Sequence, residues 1–260
     1  MCILQDKFIR NMKPLVSIII VHWNTPDLLK KQLMKLVKNK SLQIIVVDNH
    51  SSKSMAWLKY TFPSIEFIGN KKNKGYASAC NQGAKRGKGE WLLFINPDVE
   101  INPEQIITMI NFLKKDRLDA ASPLPDSVAY RKPLPTPFSL LVEFTPLNKF
   151  ISLNNFKNKT LFGGCLLIRT NIFQQLNGWD DDFFLWFEDS DLTYRLLQKK
   201  YSIGWIPIKI KHIGGASFAK LDDKLKRKLF FTSMSIFANK HFSFVGRFIV
   251  WLIKTRYLFD

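Results

Sequence analysis

The chain has 260 residues, 46% apolar and 23% charged, ample material for one main domain with a well-covered core. A balance of 39 Lys and Arg against 21 Asp and Glu gives +18, far enough from zero to call for an anionic partner: nucleic acid, an anionic membrane or a phosphorylated substrate. The three cysteines, Cys2, Cys80 and Cys165, match no zinc pattern or disulfide framework and fit a reducing compartment; the opening MCILQDKFIRNMKP lacks a sustained apolar run, and no stretch approaches the ~18 uncharged apolar residues that crossing a membrane requires.

Residues 16–21 (VSIIIV) form a β-branched run without alternation, as in a strand buried on both faces of a parallel sheet. Thr25-Pro26-Asp27 then offers a helix N-cap with Pro at the first helical position, followed by Leu28, Leu29, Leu33, Leu36 and Val37. A second strand, 44–47, ends at Asp48-Asn49. A third spans 65–68, a helix 77–85, and a fourth strand 91–95 runs into Asn96-Pro97-Asp98. Strand alternating with helix predicts a doubly wound α/β domain with a mostly parallel sheet. Ligands in such sheets sit beyond the carboxyl ends of the strands, here His22-Trp23-Asn24, Asp48-Asn49 and Asn96-Pro97-Asp98, which together make one candidate site.

A helix follows over about 103–115. From 122 to 146 the prolines 123, 125, 133, 135, 137 and 146 predict a wrapping or mobile loop without regular structure. Gly163-Gly164 precedes a strand-like 165–168 and reads either as a close backbone approach to a ligand or, equally well, as a bulge or tight turn. Residues 186–192, Trp-Phe-Glu-Asp-Ser-Asp-Leu, open another helix. Three acids in its first turn suit the helix dipole, yet Phe183, Phe184, Trp186 and Phe187 surround them, and acids among aromatics acquire the altered proton affinity of a general base.

His212, just before Gly214-Gly215, reads as a metal ligand or as a structural histidine. From Lys209 onward, eleven Lys or Arg face three acids, interleaved with Phe230, Phe231, Phe237, Phe242, Phe244, Phe248, Trp251, Leu252 and Tyr257. That tail is either an interfacial helix or a helix packing its aromatics on the core.

Taken in order, VSIIIVHWNT, VVDNHSS, NKGYASACNQG, WLLFINPDVE, FGGCLLIR, NGWDDDFFLWFEDSDLTYR and HIGGAS resemble glycosyltransferase family 2, inverting enzymes of the A-type glycosyltransferase fold, and within it bacterial rhamnosyltransferase-like members. The resemblance runs from Val16 to about Ser217. It implies a catalytic domain over 1–217, with a nucleotide-sugar half at about 14–116 and an acceptor half at about 117–217, followed by a helical, basic and aromatic tail over 218–260 that associates with a membrane or packs on the core.

The resemblance also implies roles. His22, Asn24 and Asp48 would hold the nucleotide base and ribose, and Asn73, Gly75 and Asn81 would lie along the nucleotide. Asp98 would end the family's Asp-X-Asp motif and bind Mg2+ or Mn2+ on the diphosphate, with His212 completing the site. Asn96 stands where relatives carry the first Asp and would orient the loop. Gly164 would border donor sugar or acceptor, and Asp189 would be the catalytic base, with Glu188 its fallback.

The expected partners are a dTDP- or UDP-sugar donor, a saccharide or lipid-linked saccharide acceptor and an anionic membrane surface, with no nucleic acid and a location in the cytoplasm or on the inner face of the cell membrane. The rival readings are a nucleotidyltransferase and a non-catalytic protein whose positive charge grips an anionic ligand.

Overall fold

The computed structural model describes residues 13–127, 130–214 and 221–259. Cys2, the opening segment through residue 12, Gly215 and the predicted 217/218 boundary lie outside the described residues.

Three apolar runs form the sheet centre: β1 (Val16–His22), β2 (Leu42–Asp48) and β4 (Trp91–Ile95). Strand β1 pairs in parallel with β2 on one side and β4 on the other. Successive side chains point to opposite faces, so Ile18 and Ile20 enter one core and Ile19 and Val21 the other. Both faces are covered, which is why β1 shows no polar alternation.

The remaining strands are β3 (Glu66–Gly69), β5 (Val99–Glu100), β6 (Ala120–Pro125), β7 (Cys165–Arg169) and β8 (Ile203–His212). They complete one sheet in the order β3-β2-β1-β4-β7-β6-β8-β5. Strands β3, β2, β1 and β4 are mutually parallel, β7 is antiparallel to both β4 and β6, and β8 runs parallel to β6. The chain winds outward from β1 to β3 and then returns to β4 on the other side of β1. That reversal opens a crevice at the carboxyl ends of β1 and β4.

The first helices are α1 (Pro26–Leu36), α2 (Trp57–Thr61), α3 (Tyr76–Ala84) and α4 (Pro103–Lys115). After them come α5 (Pro137–Glu143), α6 (Thr170–Gln175) and α7 (Glu188–Gln198). The predicted strands and helices up to α4 stand within two residues of their expected bounds. The proline-rich expectation is corrected: residues 120–146 hold β6, α5 and a short 3-10 turn at Pro146–Lys149 rather than an unstructured loop. Pro123 and Pro125 follow the point where β7 stops pairing with β6, so the missing N–H groups break no ladder there. Pro137 and Pro146 each open a helix, and Thr136 caps α5 by accepting from Ser139 N–H.

The tail folds into α8 (Asp223–His241) and α9 (Phe244–Phe259). Phe231, Met234 and Phe237 of α8 and Val250 and Ile253 of α9 form a third apolar cluster with Leu140, Phe183 and Phe187. These residues satisfy the packing reading of the tail. Phe244, Phe248 and Trp251 of α9 remain exposed. No helix among the described residues is long and apolar enough to cross a membrane.

Candidate functional site

The strand ends at the reversal border a cavity of about 540 Å³, closed opposite by the loop before α7 and by the start of α8. Trp23, Asn49 and Asn96-Pro97-Asp98 reach it from the ends of β1, β2 and β4. Asn73, Gly75, Gly164, Glu188, Asp189 and His212 also line it, so these predicted residues meet in one place.

His22, Asn24, Asp48 and Asn81 are not among the residues that line the cavity, and their side chains make contacts within the protein. His22 is fully buried. Its Nε2 accepts the Thr25 N–H at 3.0 Å, so the ring proton resides on Nδ1, 3.0 Å from Asp48 Oδ1. His22 therefore orients Asp48. Burial alone would raise the Asp48 carboxyl, but hydrogen bonds from His22 and Ser51 outweigh it and hold the group below the usual carboxylate range.

Asn24, at φ 56°, accepts Ser52 N–H at 2.8 Å and pins the loop after β2. Asn81 donates to Trp179 O and Asp181 Oδ1, both at 2.7 Å, and accepts Trp179 N–H, so its amide is spent on the turn before the aromatic loop.

One residue on, the side chains turn inward. Asn49 donates to Asn73 Oδ1 at 2.8 Å and to Gly75 O at 3.1 Å, and accepts Lys74 N–H and Asn70 Nδ2. This ties the end of β2 to the start of α3.

Strand β5 pairs with β8 so that Val99 faces His212, which sets the preceding Asp98 beside the imidazole. His212 Nε2 lies 3.2 Å from Asp98 Oδ1. Tyr130 and Phe162 rings flank the imidazole at 4.4 and 5.0 Å, and its Nδ1 is buried without a hydrogen-bond partner. Gln32 of α1 braces the turn by donating to Asn96 O and Val99 O. Among the described residues no group of three or more His, Cys, Asp or Glu gathers. A paired carboxylate oxygen and imidazole nitrogen facing a cavity suit a hard divalent cation that takes its other ligands from water and substrate phosphates.

The acidic motif enters through Trp186 and Phe187, both at left-handed φ of 65° and 66°, which starts α7 abruptly at Glu188. Asp189 Oδ1 accepts the Ser190 N–H at 2.7 Å, and Oδ2 lies 3.5 Å from Gly163 N. A Cβ at Gly163 would stand 3.0 Å from the Asp189 Cβ, so the glycine permits this close approach. Burial raises the Asp189 carboxyl against the opposing hydrogen bonds from Ser190 and Gly163 and the charge of Lys132. Glu188 is pushed up to about 8 by burial and by Asp189, and its Oε2 has no hydrogen-bond partner. Of the two, Asp189 has the partners that stabilise an anion. Burial raises both carboxyls, and the charge of Asp189 adds to the rise at Glu188.

Gln32, Tyr130, Lys132 and Glu143 belong to the site or its frame and were not singled out from the sequence. Trp23 and Asn49 stood within the strand-end clusters of the candidate site, and both line the cavity. Gln32 and Glu143 carried no signal, because a polar residue on an amphipathic helix looks like its solvent side.

Residues 17–176 match the family model "Glycosyl transferase family 2", and residues 152–215 match "N-terminal domain of galactosyltransferase". Rhamnosyltransferase WbbL of Escherichia coli is 26% identical over 215 residues, covering 74% of this chain and 81% of the relative. The low-salt glycan biosynthesis hexosyltransferase Agl10 of Haloferax volcanii is 25% identical over 73% of this chain and 64% of its own length. The N-acetylglucosaminyl-diphospho-decaprenol L-rhamnosyltransferase of Mycobacterium tuberculosis is 24% identical over 67% of this chain and 66% of its own. The chain thus spans just under two thirds of the length of the latter two. Mannosyltransferase PcManGT of Pyrobaculum calidifontis, solved with GDP-Man and Mn2+, superposes with a TM-score of 0.61 at 15% identity, over 95% of this chain and 70% of that one. S. aureus TarS with UDP-GlcNAc gives 0.60 at 16%, over 88% and 66%. These neighbours share the A-type glycosyltransferase fold with this chain.

Proposed function

Since the chain belongs to glycosyl transferase family 2, we propose that it is a metal-dependent, inverting glycosyltransferase that moves a sugar, rhamnose being the family-level choice, from a nucleoside diphosphate donor to a saccharide or lipid-linked saccharide. The observation that carries the reading is one cavity holding both the Asp98–His212 pair and Asp189. The relatives named for rhamnosyl transfer, one of them onto a diphospho-decaprenol-linked sugar, support the choice of donor and acceptor class.

In this proposal Asp98 and His212 hold Mg2+ or Mn2+, which supplies charge neutralisation to the leaving diphosphate. Trp23 offers an aromatic face to the nucleobase, Asp48 and Asn73 lie toward the nucleoside, and Gly75, Asn96 and Gly164 shape the passage between nucleoside and donor sugar. The acceptor hydroxyl oxygen attacks the anomeric carbon from the face opposite the diphosphate. The carbon–oxygen bond to the diphosphate breaks, the nucleoside diphosphate leaves as an anion, and the hydroxyl proton passes to the Asp189 carboxylate. Anomeric configuration inverts. Glu188, which lines the same cavity, is the fallback acceptor for that proton. The catalytic unit occupies 1–217 with the tail over 218–260, and the enzyme works in the cytoplasm at the inner membrane face.

A panel of nucleotide sugars with Mn2+ tests the reading by thermal shift and donor hydrolysis, because a ligand that binds only the folded state stabilises it according to its affinity. Release of a nucleoside diphosphate upholds transfer. Release of pyrophosphate supports the nucleotidyltransferase alternative, and no stabilisation by any nucleotide sugar rejects both.

A further inference from the structure

Helix α9 is apolar on two sides. At ~100° per residue, Gly246, Val250, Ile253 and Tyr257 fall on one side, and Val250 and Ile253 are buried there in the third apolar cluster. Phe244, Val245, Phe248, Trp251 and Leu252 share the other side, within an arc of roughly 120°, and are 77%, 66%, 51%, 55% and 48% exposed. The cations lie in the seams between: Arg247 and Lys254 along one margin of the exposed stripe and Arg256 along the other. Residues 244–259 contain no Asp or Glu.

A water-facing helix would carry polar residues where α9 carries Phe248, Trp251 and Leu252. An apolar stripe with a Trp, margined by long cationic side chains, suits the boundary between headgroups and acyl chains, where the stripe enters hydrocarbon and the cations reach lipid phosphates. Two other occupants fit less well. A second copy across a two-fold axis would set the same cationic margins against each other. Five large side chains are also few beside the ~20–30 residues per side of a stable protein interface.

We infer that the exposed stripe of α9, with Arg247, Lys254 and Arg256, docks this protein on an anionic phospholipid surface. Leu225, Leu229 and Phe230 of α8, the helix packed against α9, line the wall of the cavity that holds Asp189. A lipid-borne acceptor would thus meet an apolar wall beside the helix that holds the bilayer. The docking itself stands apart from the transfer chemistry, which a water-soluble acceptor would report unchanged.

The test is cosedimentation of the full chain with vesicles of phosphatidylcholine alone and of equal parts phosphatidylcholine and phosphatidylglycerol. The wild type is expected to bind the anionic vesicles, with affinity falling as salt rises. The triple variant Phe248→Ser, Trp251→Ser, Leu252→Ser should lose binding to both without a change in melting temperature. The variant Arg247→Gln, Lys254→Gln, Arg256→Gln should lose on the order of fivefold per cation, on the anionic vesicles only. Equal sedimentation of the wild type and the serine variant overturns the inference. So does a wild-type dimer that the serine variant makes monomeric, because a second copy then covers the stripe.

Discussion

His212 Nε2 stands 3.2 Å from Asp98 Oδ1, although 114 positions separate the two in sequence (212 − 98). The two-residue strand β5 makes this contact by pairing Val99 with His212. In the proposed enzyme this carboxylate and imidazole are the two protein ligands of the divalent cation. Asp98→Ala and His212→Ala should each remove the Mn2+-dependent part of donor binding and lower kcat/KM by at least ~100-fold, since a cation stabilises transition-state charge by several kcal/mol. Calorimetric titration of donor with and without Mn2+ checks this. Metal-dependent affinity equal to wild type would remove the pair from the metal site.

Asp189→Asn keeps the side-chain volume and removes the proton acceptor. Turnover should fall ~10²- to 10⁴-fold while donor binding persists. Because burial raises the Asp189 carboxyl, the acid limb of the wild-type rate profile should lie above the ordinary carboxylate range, with activity rising as the group ionises. A variant that keeps most of its turnover assigns the base elsewhere.

Glu188 leaves a different signature, in stability. Its carboxyl is pushed from 4.5 up to about 8, so above 4.5 the folded chain retains a proton that the unfolded chain releases. The stability this gives is complete below 4.5 and is lost as pH rises through about 8. Glu188→Gln should match wild type near pH 4 and melt higher near pH 9, by ~1 kcal/mol or more, roughly 2–4 °C for a domain of this size. Parallel melting curves across that range would show that the Glu188 carboxyl does not enter the fold uncharged.

The central sheet was legible because burying both faces of β1, β2 and β4 leaves apolar runs with no competing period. The 120–146 segment was not, since proline is informative only with its position: Pro137 opens a helix, while Pro125 sits beside an unpaired strand edge. Strand β8 did signal itself, with Ile206, Ile208 and Ile210 buried in alternation, but its Gly and Pro masked the period. At the site, motif order located Asp98, Asp189 and Gly164 on the cavity. His22 and Asn81 stand off the cavity, holding Asp48 and the turn before the aromatic loop; a polar side chain next to a ligand and one bracing the loop that meets the ligand look alike in one sequence.

Gly75 joins the Asn49–Asn73 end of the cavity to the acidic motif, and it tests whether that join matters. Its φ is +83°, and a Cβ there would stand 2.6 Å from Phe184 O and 2.8 Å from Phe184 Cα. Those are backbone atoms and cannot swing aside. Tyr76 N–H donates to the same Phe184 O at 2.9 Å, so the start of α3 is fixed against the loop that leads to Asp189. Gly75→Ala should cost ~2–4 kcal/mol and, by pushing residues 184–187 outward, lower kcat more than donor affinity. Gly69→Ala is the control, because its Cβ would meet only the Phe67 ring at 3.4 Å. Denaturant melts and single-turnover rates on both variants decide the matter: equal behaviour of the two would show that the contact at Phe184 yields and places no constraint on Asp189.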